Sequence, residues 1–260
     1  MMKGLKRGCV IMLLCITLVT CFTFCRAAKA EEVQKAIFPF RGRVNITQGA
    51  DGYINRYFNI KVEGSWWMTH QPTYFNPSLP VMYALDFNNS GNLVAYAPFD
   101  AKVVYRGTES DGNEVIFQSI NKVLLRDGTK SKVFVRFVHA NSNDIHITLG
   151  ESLKQGQQFY REGTTGEVFG SHIHIEAAKG EWKDYNSAIL KYRWRASNSD
   201  SWSYKEINYF KNGVDLAKVF YLTDGTYFTS DWWSGFSLNE AERGVPAEEV
   251  KEKINDGLGA

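Results

Sequence analysis

The chain has 260 residues, and its 30 basic and 28 acidic side chains give a formal net charge of +2. With 44% hydrophobic residues, this length suits one elaborated domain, or one domain with a small appendage. The near balance of charge lacks the basic excess typical of nucleic-acid-binding proteins, and we expect no nucleic acid as a partner.

Residues 1–30 have the pattern of a secretory signal peptide. Basic residues near the N-terminus precede an apolar run at 9–25, and Ala28-Lys29-Ala30 offers small residues for cleavage. The run is short for a membrane anchor, which needs about 20 apolar residues, and Cys21 gives only a weak match to a lipoprotein signal. We predict cleavage after Ala30, export to the cell envelope or medium, and no membrane span in the mature chain.

Cleavage changes the chemistry available to the protein. All four cysteines lie within residues 1–30, so the mature chain has no disulfide and no thiolate ligand. Removing five of the 30 basic residues leaves 25 against 28 acidic ones, a net charge of −3. Histidine, aspartate and glutamate remain as candidate metal ligands.

Short runs rich in Val, Ile, Phe and Tyr follow one another along the mature chain, separated by turns such as Asn89-Ser90-Gly91. They predict a mainly β fold with antiparallel strands, as a sandwich or a partly open barrel. We divide the mature chain into a β-rich segment at 31–80, a core at 81–180 and an aromatic-rich region at 181–260. The predicted strands are 44–47, 57–62, 83–87, 93–97, 102–105, 114–118, 122–125, 132–138 and 172–177.

Residues 181–260 hold 15 of the 37 aromatic residues. We favour an accessory layer packed on the sheet, since aromatic side chains contribute strongly to burial. A surface on which sugar rings stack is the alternative, and it would make the protein a carbohydrate-binding module. That alternative needs an exposed row of tryptophans.

The segment Gly170-Ser171-His172-Ile173-His174-Ile175-Glu176 carries the most chemical information. In a strand, residues two apart share a face, so His172 and His174 point into one space while the isoleucines enter a core. Two converging imidazoles suit a zinc site, where one imidazole binds the metal and the other accepts or donates a proton. A pair of surface histidines on a half-exposed strand is the alternative.

The order of several motifs adds specificity. Tyr83-Ala84-Leu85-Asp86-Phe87 comes first, then Phe137-Val138-His139, then the turn Gly163-Thr164-Thr165-Gly166 and the His-x-His-x-Glu segment. Over roughly residues 81–178 this order resembles the lysostaphin/LytM-type zinc endopeptidases of bacterial cell walls. The resemblance implies a LytM-like β core, one Zn²⁺ ion, and peptidoglycan or its peptides as substrate.

The same resemblance implies roles for individual residues. Asp86 and His174 would be zinc ligands. His139 and His172 would be catalytic residues on either side of the attacking water. One would accept a proton from the water, and the other would stabilise the charged tetrahedral intermediate.

The chain departs from the family at the first ligand, because Met82 stands where a histidine is usual, four residues before Asp86. A thioether suits Cu(I) better than zinc. His70 replaces the missing ligand if the proline-punctuated residues 71–80 loop back. Otherwise the site is degenerate, and the protein is a catalytically inactive LytM-like module that binds cell wall or activates a wall-hydrolase partner.

Two further groups near these motifs are open to interpretation. His146 lies in a polar loop after His139, and we expect it to be solvated. Glu176 shares the face of His172 and His174, so it either orients an imidazole or is an ordinary acid at a strand end.

Overall fold

The computed structural model describes residues 32–49, 56–57, 60–63, 70, 72, 76–166, 168, 170–198, 201–222, 226–230 and 237–238. The chain divides into a unit at Met1–Glu32 and a unit at Val33–Ala260, and the description concerns the second. The predicted signal peptide therefore lies outside the described residues. Within them, no helix is long and apolar enough to cross a bilayer.

Strands make up most of the described regular structure, as the sequence predicts. Two short helices, α1 (Tyr185–Ala188) and α2 (Leu216–Val219), and a 3-10 turn at Ser142–Asp144 accompany them. The strands are β1 (Val33–Ile37), β2 (Gly42–Gln48), β3 (Arg56–Tyr57), β4 (Ile60–Glu63), β5 (Leu85–Asn88), β6 (Val94–Tyr96), β7 (Ala101–Glu109), β8 (Gly112–Ser119), β9 (Lys122–Leu124), β10 (Lys130–Ser131), β11 (Val133–Val138), β12 (Ser152–Leu153), β13 (Gln158–Arg161), β14 (Ile173–Lys179), β15 (Ile189–Asn198), β16 (Ser201–Phe210), β17 (Gly213–Val214), β18 (Phe220–Tyr221), β19 (Thr226–Ser230) and β20 (Ser237–Leu238).

A nine-stranded sheet carries the motifs. Its order is β12-β7-β8-β11-β14-β5-β2-β19, and β17 also pairs with β14. The pairs are antiparallel except for β19 with β2. The sheet curls into a half-barrel, so the prediction of a mainly β fold with antiparallel strands is confirmed.

The two faces of this sheet differ in chemistry. Alternate residues of its central strands form the main core, and each large apolar side chain buried there contributes about 1.5–3 kcal/mol. The opposite face carries Asp86, Arg136, His174 and Glu176, all of them buried. The core members from these strands are Leu85, Phe87, Val115, Phe117, Val135, Phe137, Ile173 and Ile175.

The remaining sheets are small. They have the orders β10-β9-β1-β18, β13-β6, β15-β16 and β20-β4-β3. The segment 57–62, expected as one strand, is divided between β3 and β4, which pair antiparallel. Both β2 from segment 31–80 and β17 from segment 181–260 join the nine-stranded sheet.

The aromatic C-terminal region contains a long hairpin that the sequence analysis does not predict. Its strands β15 and β16 pair from Ile189↔Phe210 to Asn198↔Ser201. At its base, Phe210 packs with Phe134, and Tyr209 packs with Met82. These described aromatics form a layer on the sheet. The side chains of the tryptophans at 194, 202, 232 and 233 lie outside the described residues.

Candidate active site

Three buried side chains, His70, Asp86 and His174, converge at one point. Their candidate ligand atoms all lie within 4.8 Å of one another. Asp86 Oδ1 is 3.4 Å from His70 Nε2 and 2.9 Å from His174 Nδ1. Two ligands of a tetrahedral zinc, each about 2.0–2.1 Å from the ion, stand about 3.3–3.4 Å apart. The separation between His70 and Asp86 matches that spacing, whereas the 2.9 Å between His174 and Asp86 is a hydrogen-bond distance.

Strand pairing brings two of these groups together. Asp86 on β5 is directly opposite His174 on β14, and both project from the polar face of the sheet. Met82, four residues before Asp86, is 1% exposed and packs with Ala84 and Tyr209. The thioether therefore belongs to an apolar cluster.

His70 is held at the site by Gly49, the residue that follows β2. Its backbone N–H donates to the Gly49 carbonyl at 2.9 Å, and its ring Nδ1 lies 2.7 Å from the same oxygen. With Nδ1 donating its proton to that carbonyl, Nε2 presents a lone pair toward Asp86. Two imidazole nitrogens and one carboxylate oxygen form a donor set that fits zinc and leaves a fourth position open.

His139 and His172 stand beside the cluster, with ring centroids 4.5 Å apart. The Nδ1 atom of His139 lies 2.9 Å from the Thr165 carbonyl, and that of His172 lies 2.9 Å from the Gly170 carbonyl. Each ring therefore keeps Nε2 for other partners. The Nε2 atom of His172 is 3.5 Å from Asp86 Oδ2.

The charges of the cluster follow from its burial and its partners. Burial works to raise the pKa of Asp86, but His70, His172 and the hydrogen bond from His174 hold that pKa well below its usual value. Burial works to lower the pKa of His174, yet hydrogen bonds to Asp86 and Glu176 raise it to about 9. In the metal-free chain an imidazolium at His174 thus bridges two carboxylates.

His139 has the opposite character. Burial, together with the charges of His172 and His174, lowers the pKa of His139 to about 3. This imidazole is neutral at physiological pH. Its backbone φ of 86° lies in the left-handed region, which residues other than glycine adopt rarely. Residues with such strained backbones are often found at functional sites.

The turn Gly163-Thr164-Thr165-Gly166 explains how His139 is held. The Thr165 N–H donates to the His139 carbonyl at 3.0 Å, while the Thr165 carbonyl accepts from the ring of His139. A Cβ added at Gly163 would lie 2.4 Å from the His139 carbonyl oxygen. The chain approaches too closely there for any side chain.

We expect Gly163→Ala to destabilise the protein by about 1–3 kcal/mol, because its methyl group meets main-chain atoms that must move. Denaturant unfolding measures this, and the His139 ring signals in an NMR spectrum should shift. Gly170→Ala is the matched control, since a Cβ at Gly170 meets nothing within 4 Å. Equal stability of the two variants would contradict the prediction.

The structure also places residues that the sequence analysis overlooks or leaves open. Glu176 is 2% exposed, and its Oε1 lies 3.1 Å from His174 Nε2, so it contacts an imidazole of the cluster. Arg136 lies behind Glu176 and is fully buried. A single charge inside the apolar run of β11 is the signal that could have indicated it, since arginine is rarely buried without partners. His146 is exposed and lies apart from the cluster.

Comparison with known proteins gives distant similarities. No protein-family model matches the chain. Morphogenesis protein 1 of Bacillus phage B103 is 25% identical over 166 residues, which is 62% of this chain and 41% of that protein. The chain thus spans about two fifths of the length of this curated relative.

Among solved structures, the neighbours are M23/LytM-type peptidases at low sequence identity. A zinc-containing peptidase from Vibrio cholerae is 19% identical with a TM-score of 0.37, covering 57% of this chain and 37% of that one. The catalytic domain of lysostaphin from Staphylococcus simulans is 22% identical with a TM-score of 0.31, covering 40% and 71%. LytU is 18% identical with a TM-score of 0.35, covering 55% and 77%.

Proposed function

We propose that the protein is a secreted zinc-dependent endopeptidase that acts on peptidoglycan peptides. The observation that supports this most is the convergence of His70, Asp86 and His174, with two further histidines beside them. Three ligands with an open position are typical of a catalytic zinc site, whereas structural zinc sites are closed by four.

In this proposal three atoms would hold the ion: His70 Nε2, Asp86 Oδ1 and His174 Nδ1. Zinc, when bound, supplies a positive charge that polarises the scissile carbonyl and acidifies a water molecule. His139 is neutral, and because its Nδ1 proton is engaged by Thr165, its Nε2 accepts the proton of the attacking water. His172, whose Nε2 lies 3.5 Å from Asp86 Oδ2, would stabilise the negative charge that develops on the carbonyl oxygen.

The substrate class rests on the sequence. The Gly163–Gly166 turn and the His-x-His-x-Glu segment resemble peptidases that cleave peptides of the bacterial wall, and the signal peptide predicted before Glu31 would deliver the protein to that substrate. The alternative of a catalytically inactive LytM-like module assumes that the metal site lacks a ligand. His70, beside Asp86 and His174, would supply the third ligand that this alternative lacks, which supports the enzyme over the inactive module.

Hydrolysis of purified peptidoglycan tests the proposal. The purified protein should contain one zinc ion per chain and should release new amino groups from peptidoglycan, and a chelator should abolish the release. If the protein sediments with peptidoglycan but binds no zinc and releases no amino groups, the proposal fails and the catalytically inactive LytM-like module is favoured.

A further inference from the structure

Arg136 is a fully buried cation on the face of the sheet that carries the site. It lies opposite Glu176 in the pairing of β11 with β14, and the next pair on this face is Val138 with His174. Its guanidinium contacts three carboxylates, those of Asp111, Glu114 and Glu176. Removing a guanidinium from water is unfavourable, and close carboxylate partners can offset that cost.

The contact with Glu176 connects Arg136 to the candidate ligand His174. Glu176 Oε1 lies 2.8 Å from Arg136 Nη1 and 3.1 Å from His174 Nε2. Glu176 Oε2 accepts from the Phe210 N–H at 2.7 Å. Both oxygens of the Glu176 carboxylate therefore have hydrogen-bond partners, and one of these partners is the His174 imidazole.

The C-terminal hairpin takes part in the same arrangement. Arg136 Nη1 also donates to the Asn208 carbonyl at 2.7 Å, and Phe210 holds the other oxygen of Glu176. Both hairpin residues lie on β16. The hairpin therefore contacts the site through main-chain groups, and it covers the charged cluster.

A carboxylate bonded to one imidazole nitrogen fixes the ring orientation and makes the other nitrogen a stronger ligand. With Nε2 of His174 bonded to Glu176, Nδ1 faces Asp86 at 2.9 Å. The orientation of His174 thus depends on Glu176, and the orientation of Glu176 depends on Arg136.

We propose that Arg136 is a positioning residue for the metal site, which acts by fixing Glu176 against His174. The inference rests on the proposed zinc site and extends it to a residue that contacts neither the ion nor the substrate. The cluster also offers a control, because Glu114 contacts the same guanidinium without contacting His174.

Zinc affinity, measured by chelator competition on the purified protein, tests the proposal. Arg136→Lys keeps the charge but loses the forked geometry, and Glu176→Gln keeps the shape but loses the charge. We expect each to weaken zinc binding about 10- to 100-fold, as loss of an outer partner typically does. The visible spectrum of the Co²⁺-substituted protein should shift in both variants.

The control and the double variant separate positioning from simple stabilisation. Glu114→Gln alters another carboxylate on the same guanidinium and should leave zinc affinity within about threefold. Because Arg136 acts through Glu176, the double variant should bind zinc no more weakly than the weaker single variant. If Arg136→Lys fails to fold, the zinc affinities of Glu176→Gln and Glu114→Gln are compared with each other instead, and only the first should be weakened.

Three results would overturn the inference and leave the proposed function standing. The first is unchanged zinc affinity in folded Arg136→Lys or in Glu176→Gln. The others are an equal loss of zinc affinity in Glu114→Gln and additive losses of zinc affinity in the double variant. If the unaltered protein binds no zinc, the proposed function itself fails.

Discussion

Replacing His70 by alanine should abolish zinc binding and peptide hydrolysis together. His70 Nε2 is one of three candidate ligand atoms, 3.4 Å from Asp86 Oδ1, and its ring is already oriented by the Gly49 carbonyl. Loss of an outer-sphere partner costs about 10- to 100-fold in metal affinity, and loss of a ligand should exceed the upper end of that range. Calorimetric titration with zinc measures the change.

Two variants serve as controls for His70→Ala. His146→Ala removes an exposed histidine outside the cluster and should change neither zinc binding nor activity. Met82→His should leave zinc binding nearly unchanged, because position 82 is enclosed by Ala84 and Tyr209. Zinc retained by His70→Ala would show that His70 is not a ligand, whereas zinc gained by Met82→His would favour a degenerate site at the usual family position.

The displaced ligand shows what local sequence pattern can and cannot predict. Period-two alternation is enough to place His172 and His174 on one side of the chain and Ile173 and Ile175 in the core. That pattern is local. The return of His70 depends on a hydrogen bond to Gly49, 21 residues away, which no local periodicity encodes.

The same limit applies to Arg136 and the C-terminal hairpin. Most predicted strands of residues 81–180 are present because each is a short apolar run bounded by turns. Polar and apolar residues alternate along β15 and along much of β16, which is also a strand pattern, so the local sequence indicates the strands but not where the hairpin docks. Their base is stabilised by contacts with Met82 and Phe134, and by the charged cluster around Arg136, all distant in sequence.

The second large effect concerns the two histidines that bind no metal in the proposed site. Replacing His139 by glutamine should lower kcat by about 10²- to 10⁴-fold, the usual contribution of a general base. Zinc content should remain at one ion per chain, because His139 is not among the three ligands. The same experiment with His172→Gln tests the oxyanion role, where loss of one donor costs about 10²- to 10³-fold.

The pH dependence of hydrolysis tests the role of His139. The pKa of His139 is about 3, so this base is neutral, and able to accept a proton, at every pH above that value. An acid limb of kcat/KM near pH 6 must then come from another group, and it should survive in the residual activity of His139→Gln. Loss of that limb in His139→Gln would assign it to His139 and contradict the neutral, buried imidazole. Loss of zinc from either variant would make that histidine a ligand and contradict the proposed division of roles.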